Sequence, residues 1–418
     1  MSKTQKIILI IGTSLVGLSL VLLLVNTVLK NRNTKDMAII DETNLFSLFE
    51  RPITPNPKTI PEIIADEIVS DAGQEVENNN AVIKNYVLVA ERPVFNFIPI
   101  EKTVDQISFS QDKKTPDTKI KKYGTRYVKY DGVIYEKYDG DVEQKVSNTF
   151  TARLGEVFLH SNSVVYRYSR EDMQTIETYL GTVSTKEGGV GDVVGDYLPK
   201  NIRSFAINSN NAKFTGLLAD ESRQSAQIII GTLGKSDRKT LLKTSFTDWL
   251  LDWLDDSNLV LTSRASGKVI GSAYIVNINN LAKTKIISDY GLTTKALPFG
   301  AGLIVSTVGD NKYETQIYQN KKLGYLPLKT VADKCTASAK NIIVCAVPNS
   351  PNGVLPDDWY RGEVSYRDTL ISYNTETGLQ KVLLNEDGFD VDIIKPSNDG
   401  GVIYFRNKLN GFLYKIKP

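Results

Sequence analysis

The chain has 418 residues, with 50 lysine and arginine residues against 48 aspartate and glutamate residues, and a formal charge of +2. Five of the basic residues lie in residues 1–35, which hold no acid, so the remainder has 45 basic against 48 acidic residues. This slightly acidic body argues against a nucleic-acid partner, because nucleic acids bind clearly basic surfaces. The only histidine, His160, and two cysteines make neither a zinc site nor a histidine-based catalytic centre. We therefore expect no metal, no cofactor and no catalytic residue.

The first predicted element is a membrane-spanning helix over residues 7–29. These 23 residues carry no charge, and that length crosses about 30 Å of hydrocarbon. A cleavable signal peptide has a shorter apolar run and a small-residue cleavage site, so we predict an uncleaved signal-anchor after a tail of residues 1–6. Basic residues flank the segment almost equally on both sides, which leaves its orientation open. We expect a cytoplasmic N-terminus, with the rest of the chain at a bacterial cell surface or in a periplasm.

Residues 30–80 are predicted to form a stalk between the membrane segment and a folded domain over residues 81–418. This stretch contains four closely spaced prolines, Pro52, Pro55, Pro57 and Pro61. Prolines at this spacing favour an extended, semi-rigid spacer.

A short strand motif recurs seven times in the folded domain. It has an aliphatic residue beside a tyrosine, or beside the residue at the equivalent position, and is bounded by turn residues. The copies are 44, 50, 45, 44, 53 and 43 residues apart, at Tyr135, Tyr179, Ile229, Tyr274, Tyr318, Ile371 and Tyr414. Most copies precede a more polar strand in which lysine or glutamine alternates with apolar residues, as in outer edge strands. A period in the mid-forties made of four short strands is typical of a propeller blade. The predicted fold is all-β, a seven-bladed β-propeller, with six or eight blades as alternatives.

The last blade is predicted to borrow a strand from the other end of the domain. The seventh copy, at Tyr414, is followed by only four residues, too few for an outer strand of its own. An apolar run at residues 81–83 and 86–89 precedes the first blade. We expect this run to supply the missing strand, because closing the ring removes unpaired sheet edges.

The two cysteines, Cys335 and Cys345, flank a predicted hairpin turn. Opposite positions on paired antiparallel strands lie close enough for a bond between the sulfurs, so we predict a disulfide. The alternative is two reduced cysteines that act as small buried apolar residues. A paired count is typical of an oxidising compartment, which favours the external placement of the domain.

The sixth repeat contains a longer loop, residues 348–362, which explains its 53-residue spacing. The loop ends in Asp357, Asp358, Trp359, Tyr360 and Arg361. Tryptophan, tyrosine and arginine are enriched at binding hot spots, and long loops on rigid scaffolds often carry function. We predict that these five residues bind a partner. The alternative is that the two aromatic residues pack the loop against the ring.

The pattern of turns and strands from about residue 150 to residue 418 resembles the WD40-like and TolB-like propeller repeats. The turn within residues 205–214 is similar to their Ser-Pro-Asp-Gly-Lys turn, although no copy contains it in full. The arrangement of one span, a stalk and a ring is also similar to membrane-anchored propeller proteins of bacteria with small genomes. The resemblance implies a propeller fold and no particular partner.

These observations predict a non-enzymatic, membrane-anchored binding module or scaffold outside the cytoplasm, whose partner is a protein or a cell-envelope polymer. Two alternatives stay open. A glycoside hydrolase or lyase needs only two carboxylates in the central funnel and no histidine. An envelope-assembly subunit would use the ring mainly as a docking spacer.

Overall fold

The computed structural model of the protein describes residues 85–106, 118–184 and 189–418, apart from residues 209, 211, 221, 223 and 236. The predicted tail, membrane segment and stalk lie outside these ranges, as do residues 81–84 of the predicted closing strand. No helix within the described ranges is both long enough and apolar enough to cross a bilayer.

The described residues form 28 β-strands and one short helix, α1 (Asp357–Arg361). The first thirteen strands are β1 (Tyr86–Ala90), β2 (Val94–Gln106), β3 (Thr118–Lys129), β4 (Ile134–Tyr138), β5 (Gln144–Lys145), β6 (Leu154–His160), β7 (Ser163–Ser169), β8 (Ile176–Val183), β9 (Val193–Tyr197), β10 (Ile202–Asn208), β11 (Lys213–Ala219), β12 (Ala226–Thr232) and β13 (Lys239–Thr244). The remaining strands are β14 (Trp249–Trp253), β15 (Asn258–Ser263), β16 (Ile270–Asn277), β17 (Lys283–Tyr290), β18 (Thr293–Leu297), β19 (Gly302–Gly309), β20 (Lys312–Gln319), β21 (Lys322–Leu326), β22 (Cys335–Ala339), β23 (Ile342–Pro348), β24 (Asp368–Asn374), β25 (Gln380–Leu384), β26 (Val391–Pro396), β27 (Ile403–Asn407) and β28 (Leu413–Ile416). Two 3-10 turns, Pro298–Gly300 and Ala332–Lys334, precede β19 and β22.

The strands form seven four-stranded antiparallel sheets, so the prediction of a seven-bladed propeller is confirmed. Six blades consist of four consecutive strands each, from β2–β5 to β22–β25, and the seventh combines β26, β27 and β28 with β1. Every copy of the repeated motif lies on the third strand of its blade. The repeat therefore marks one equivalent position in all seven sheets.

The blades are arranged in a closed ring. The first strand of each blade contacts the first strand of the next blade at all seven junctions, including the junction between β26 and β2. Because sheets that radiate from an axis approach each other most closely at their inner ends, these seven strands are the innermost ones. They surround the central channel of the ring.

The strand that closes the ring is β1, which pairs with β28 as the outer strand of the seventh blade. The pairing is antiparallel and places Tyr86 opposite Ile416 and Leu88 opposite Tyr414. Val89 and Ala90 are buried in this position. The predicted closure by the segment before the first blade is confirmed for the residues that the structure describes.

Neighbouring inner strands are joined by side chains that bond the backbone of the next blade. Backbone groups on an inner strand have no further strand on the axial side, so they need partners of another kind. The pairs are Lys395 with the oxygen of Phe97, Asn96 with the oxygen of Val157, Ser204 with the nitrogen of Leu251, and Asp252 with the nitrogen of Ala296. These bonds connect the blades through polar residues of the channel wall.

Apolar clusters between the blade faces form the core. The junction of the third and fourth blades contains Trp249 and Trp253, which are both buried and pack with Ile228 and Leu259. Equivalent clusters fill the other junctions. Each blade thus buries its faces against the neighbouring blades. The β-branched and aromatic residues of the strands favour this packing.

Candidate functional site

The predicted binding loop of the sixth blade folds into the short helix α1, and its tryptophan is buried. Trp359 is only 3% exposed, and its Nε1 donates a hydrogen bond to Asp390 Oδ1 at 2.9 Å. Its ring lies parallel to that of Tyr366, with 6.1 Å between centroids. A buried indole N–H needs an acceptor, and Asp390 supplies it. Trp359 therefore anchors the loop to the ring.

A buried ion cluster lies beneath this tryptophan. Lys334 Nζ is 2.5 Å from Asp368 Oδ2 and 2.6 Å from Asp390 Oδ1, and all three side chains are fully buried. The ammonium group also lies 4.6 Å from the centre of the Trp359 ring, which is a cation–π distance. Burial raises the pKa of Asp368. The cluster fixes the sixth blade, the loop and the start of the seventh blade to one another.

The other four loop residues also have partners within the chain. Asp357 accepts a hydrogen bond from the backbone of Gly267 at 2.7 Å, and Tyr360 donates one to Asp333 at 2.6 Å. Asp358 caps the backbone nitrogen of Val354 and pairs with Arg361. Arg361 is the most exposed of the five predicted residues. That these residues bind a partner remains a prediction.

The two cysteines lie directly opposite each other on β22 and β23 and are joined by a disulfide. Their Cα atoms are 4.1 Å apart, and both side chains are buried in the cluster between the fifth and sixth blades. The bond therefore links the two inner strands of the sixth blade beside the channel.

A cleft that the sequence reasoning missed lies on the second blade. Its volume is about 660 Å³, and its two walls come from different parts of the chain. One wall is the segment between the first two blades, residues 149–153, and the other is formed by strands β7, β8 and β9. We refer to it as the tyrosine cleft, after Tyr166, Tyr168, Tyr179 and Tyr197.

Pleating and strand pairing bring the four tyrosines together. Tyr166 and Tyr168 are two residues apart on β7 and thus share a face, and Tyr179 and Tyr197 lie opposite each other on β8 and β9. The hydroxyls of Tyr168 and Tyr197 are 2.7 Å apart, and the rings of Tyr179 and Tyr197 meet edge to face at 5.1 Å. Burial, together with the bond to Tyr197, raises the pKa of Tyr168. The Tyr168 phenol is therefore a neutral hydrogen-bonding group at neutral pH.

Two large side chains at the edge of the cleft are left open to solvent. Phe150 on the connecting segment is 69% exposed, and Tyr197 at the end of β9 is 55% exposed. The connecting segment is held in place because Thr149 Oγ1 accepts the Val193 N–H at 2.7 Å, and the Thr151 N–H bonds the backbone oxygen of Asp131. A fixed backbone thus presents exposed aromatic groups on both walls.

Charged groups of both signs surround these aromatic residues. Arg170 pairs with the buried Glu177, whereas Arg153 lies 3.8 Å from the highly exposed Glu171. Asp172 accepts hydrogen bonds from the side chain and backbone of Thr175, which hold the pKa of Asp172 at about 2. Asp172 therefore shapes its turn, while Arg153 and Glu171 remain available to a ligand.

The described residues contain no group of three or more carboxylate, thiol or imidazole side chains positioned to hold a metal ion. His160 ends β6, and burial lowers its pKa, so it is neutral at neutral pH.

Comparison with known proteins gives distant structural matches only. No family model and no curated protein matches the chain. Among solved structures, it is similar to an oligogalacturonate lyase in complex with manganese, at 11% identity and a TM-score of 0.44, over 78% of this chain and 98% of that one. It is also similar to TolB from Acinetobacter baumannii, at 12% identity and a TM-score of 0.37, over 77% and 80% of the two chains. The propeller domain of Cps50 (Swd1) from Myceliophteria thermophila matches at 10% identity and a TM-score of 0.44, over 76% and 100%.

The seven four-stranded sheets themselves give the chain a β-propeller fold, as its repeats predicted. One expectation from the sequence is wrong: that the chain is not an enzyme. Enzymes, among them the oligogalacturonate lyase, are found among the solved structures that match this chain, so an expectation that it is not an enzyme is not supported. At such low identity the likeness assigns no reaction to this chain, and it does not bear on a membrane anchor.

Proposed function

We propose that the propeller is a protein-binding module, and that the tyrosine cleft of the second blade receives a segment of the partner chain. The observation that carries this proposal is the exposure of Phe150 and Tyr197, at 69% and 55%, on the two walls of one cleft. Exposed aromatic side chains grouped in this way mark interaction sites more often than isolated surface residues do.

The chemistry of the cleft suits a polypeptide with an apolar side chain and polar neighbours. Tyrosine and arginine are the residues most enriched at protein–protein hot spots, because they combine apolar contact area with hydrogen-bonding groups. An apolar side chain of the partner would lie between Phe150 and Tyr197. Arg153 and Glu171 at the edge would bond charged or polar groups beside it. A cleft of about 660 Å³ lies within the size range of ligand pockets in proteins, which is enough for one or two side chains of a partner.

The proposal extends to the place where the module works. Residues 7–29 would anchor it in a membrane, residues 30–80 would act as a spacer, and the ring would face the outside of a bacterial cell. The uncharged 23-residue segment and the prolines of the spacer support this arrangement. Protease treatment of intact cells tests it: an external ring is degraded while a cytoplasmic control protein survives.

A peptide selection on the full chain tests the binding site. A displayed library of random peptides is selected against the wild-type protein, and the enriched peptides are measured by fluorescence polarisation. Phe150→Ala with Tyr197→Ala should weaken their binding at least tenfold, because most of the apolar contact is removed. The matched control is Leu379→Ala with Val382→Ala, an equally exposed apolar pair on the sixth blade.

Each result of this selection decides the proposal. Peptides that bind the wild type and the sixth-blade control equally, but not the cleft variant, support it. Peptides that bind all three proteins equally contradict it, as does a library that yields no binder. An envelope polymer as the partner would instead show as cleft-dependent binding of cell-wall oligosaccharides without any enriched peptide.

A further inference from the structure

Arg153 lines the tyrosine cleft from a fixed position in the backbone. It immediately precedes β6, whose first residue, Leu154, lies opposite Tyr168. The Arg153 backbone oxygen accepts the N–H of Ser169 at 3.2 Å, and its φ of 54° is left-handed. Because the neighbouring strand holds the backbone in this uncommon conformation, the direction of the Arg153 side chain is restricted as well. Arg153 and Tyr168 accordingly both line the cleft.

The Arg153 guanidinium has only a weak partner. Its Nη2 lies 3.8 Å from Glu171 Oε1, and the two side chains are 46% and 92% exposed. Within the part of the chain that the structure describes, the guanidinium has no other ion pair and no hydrogen bond. A pair so long and so open to water contributes little to stability. An arginine presents five donors in a planar fork, so its donors are left for a ligand.

The other charged groups of the cleft are engaged within the chain. Asp172 accepts the backbone N–H and the hydroxyl of Thr175, at 2.8 and 2.6 Å. Arg170 is paired with Glu177, whose side chain is buried. A ligand that bonded Arg170 would compete with this buried carboxylate. Arg153 is the cation of the lining that a ligand can bond without breaking a contact to a buried group.

We propose that the segment bound in the tyrosine cleft carries an aspartate or glutamate close to its apolar residue, and that Arg153 bonds this carboxylate. The inference rests on the proposed function of the cleft and names the chemistry of the partner. A guanidinium binds a carboxylate through two parallel hydrogen bonds, which also fix the orientation of the segment. Arg153 follows Phe150 by three residues, and three residues span at most about 11 Å. The acidic residue would therefore lie within about three positions of the apolar one.

Glu171 provides an independent expectation, because it is the one acidic group near Arg153. Glu171→Gln removes a negative charge that repels an incoming carboxylate and competes with it for Arg153. This variant should bind acidic peptides about twofold more tightly than the wild type, the size expected for an exposed charge. Weaker binding of the enriched peptides by Glu171→Gln would show that the cleft selects a basic group, contrary to the proposal.

Two displayed libraries of short peptides, selected against the full chain, test the proposal. One library contains aspartate and glutamate but no lysine or arginine, and the other contains the reverse. The wild type should enrich binders from the acidic library about tenfold more than from the basic one, and Arg153→Glu should reverse this preference. The matched control is Arg367→Glu on the sixth blade, whose arginine is also exposed and also lies 3.8 Å from an exposed acid, Asp387. It should keep the preference of the wild type.

The outcomes separate this inference from the proposed function. Acidic peptides that bind Arg153→Gln about tenfold more weakly than the wild type, and that also require Phe150 and Tyr197, support both. Peptides that require Phe150 and Tyr197 but bind Arg153→Gln as tightly as the wild type overturn the inference and leave the proposed function standing. Binders that do not require Phe150 and Tyr197, or the absence of binders from both libraries, overturn both. Arg153→Gln keeps the test decisive if Arg153→Glu fails to fold, whereas a reversed preference would itself show that Arg153→Glu is folded.

Discussion

Leu88 lies opposite Tyr414, so a residue that precedes the first blade completes the sheet of the last one. Nearer the axis, the seventh blade also contacts the first: Arg406 of β27 donates a hydrogen bond to the backbone oxygen of Val94 on β2 at 3.1 Å. Tyr86 adds a hydrogen bond to Glu386 at 2.9 Å. The two ends of the described domain are thus joined by strand pairing, side-chain packing and polar contacts.

Replacing residues 86–90 by a glycine–serine stretch of equal length should open the ring. The change removes the β1–β28 ladder and the burial of Val89 and Ala90. Lost burial and backbone hydrogen bonds together should lower the free energy of unfolding by about 5 kcal/mol or more. Chemical denaturation followed by circular dichroism measures this loss. A glycine–serine replacement of residues 53–57 in the predicted stalk is the control, and equal stability of both variants would show that β1 does not close the ring.

The architecture was predictable because it depends on a repeated local pattern. All seven aligned positions, from Tyr135 to Tyr414, lie on the third strand of a blade. Lysine- and glutamine-rich segments such as Lys239–Thr244 are outer strands, as their alternation indicated. A propeller needs only this local pattern and a closing strand, and both can be read along the chain.

The sites were harder to predict because they depend on which residues meet across blades. The sequence could not show that Trp359 has an acceptor waiting in Asp390, at the start of the seventh blade. The tyrosine cleft did have a signal: Tyr166 and Tyr168 share one strand face, and Tyr179 already marked the neighbouring strand. Its opposite wall, Phe150, comes from a connection between blades that no periodicity describes.

Trp359→Ala should destabilise the protein, because Trp359 packs the loop against the ring. The substitution removes a buried indole and leaves Asp390 without one of its donors. Large-to-small changes of this kind lower the free energy of unfolding by about 3–5 kcal/mol. Urea denaturation monitored by circular dichroism measures it. Arg361→Ala, on the exposed side of the same helix, should change stability by less than about 1 kcal/mol. A Trp359→Ala protein as stable as this control would contradict the anchoring role.

The disulfide between Cys335 and Cys345 should be inaccessible to reductants in the folded protein. Both sulfurs lie in the core beside the fifth blade, so a reductant should reach them only when the protein unfolds. Alkylation after denaturation should modify no cysteine without reductant and two with it. Replacing both cysteines by alanine should lower the free energy of unfolding by about 2–3 kcal/mol, from the entropy of the ten-residue loop that the bond closes. Alkylation of the denatured protein without reductant would show that the thiols are free.

Lys395 should make stability depend on pH above neutrality. Its pKa is about 7 in the folded protein, below the ordinary value of 10.5, so the unfolded chain binds its proton more strongly than the folded one does. The contribution of Lys395 to the free energy of unfolding is therefore smallest at and below pH 7 and rises with pH until the unfolded lysine also loses its proton. The slope is at most about 1.4 kcal/mol per pH unit between these two values.

The difference in the free energy of unfolding between the wild type and Lys395→Met separates this slope from the effects of all other titrating groups. Free energies of unfolding are measured by urea denaturation at pH 6.5, 7.5, 8.5 and 9.5, in chloride without other anions. As the pH rises, the wild type should steadily gain stability relative to Lys395→Met. Lys239→Met should follow the wild type throughout, because its lysine is exposed on the outer strand β13. A constant difference between wild type and Lys395→Met across this range would mean that Lys395 stays charged in the folded ring. Burial and the charges of Lys295 and Arg406 would then not lower its pKa.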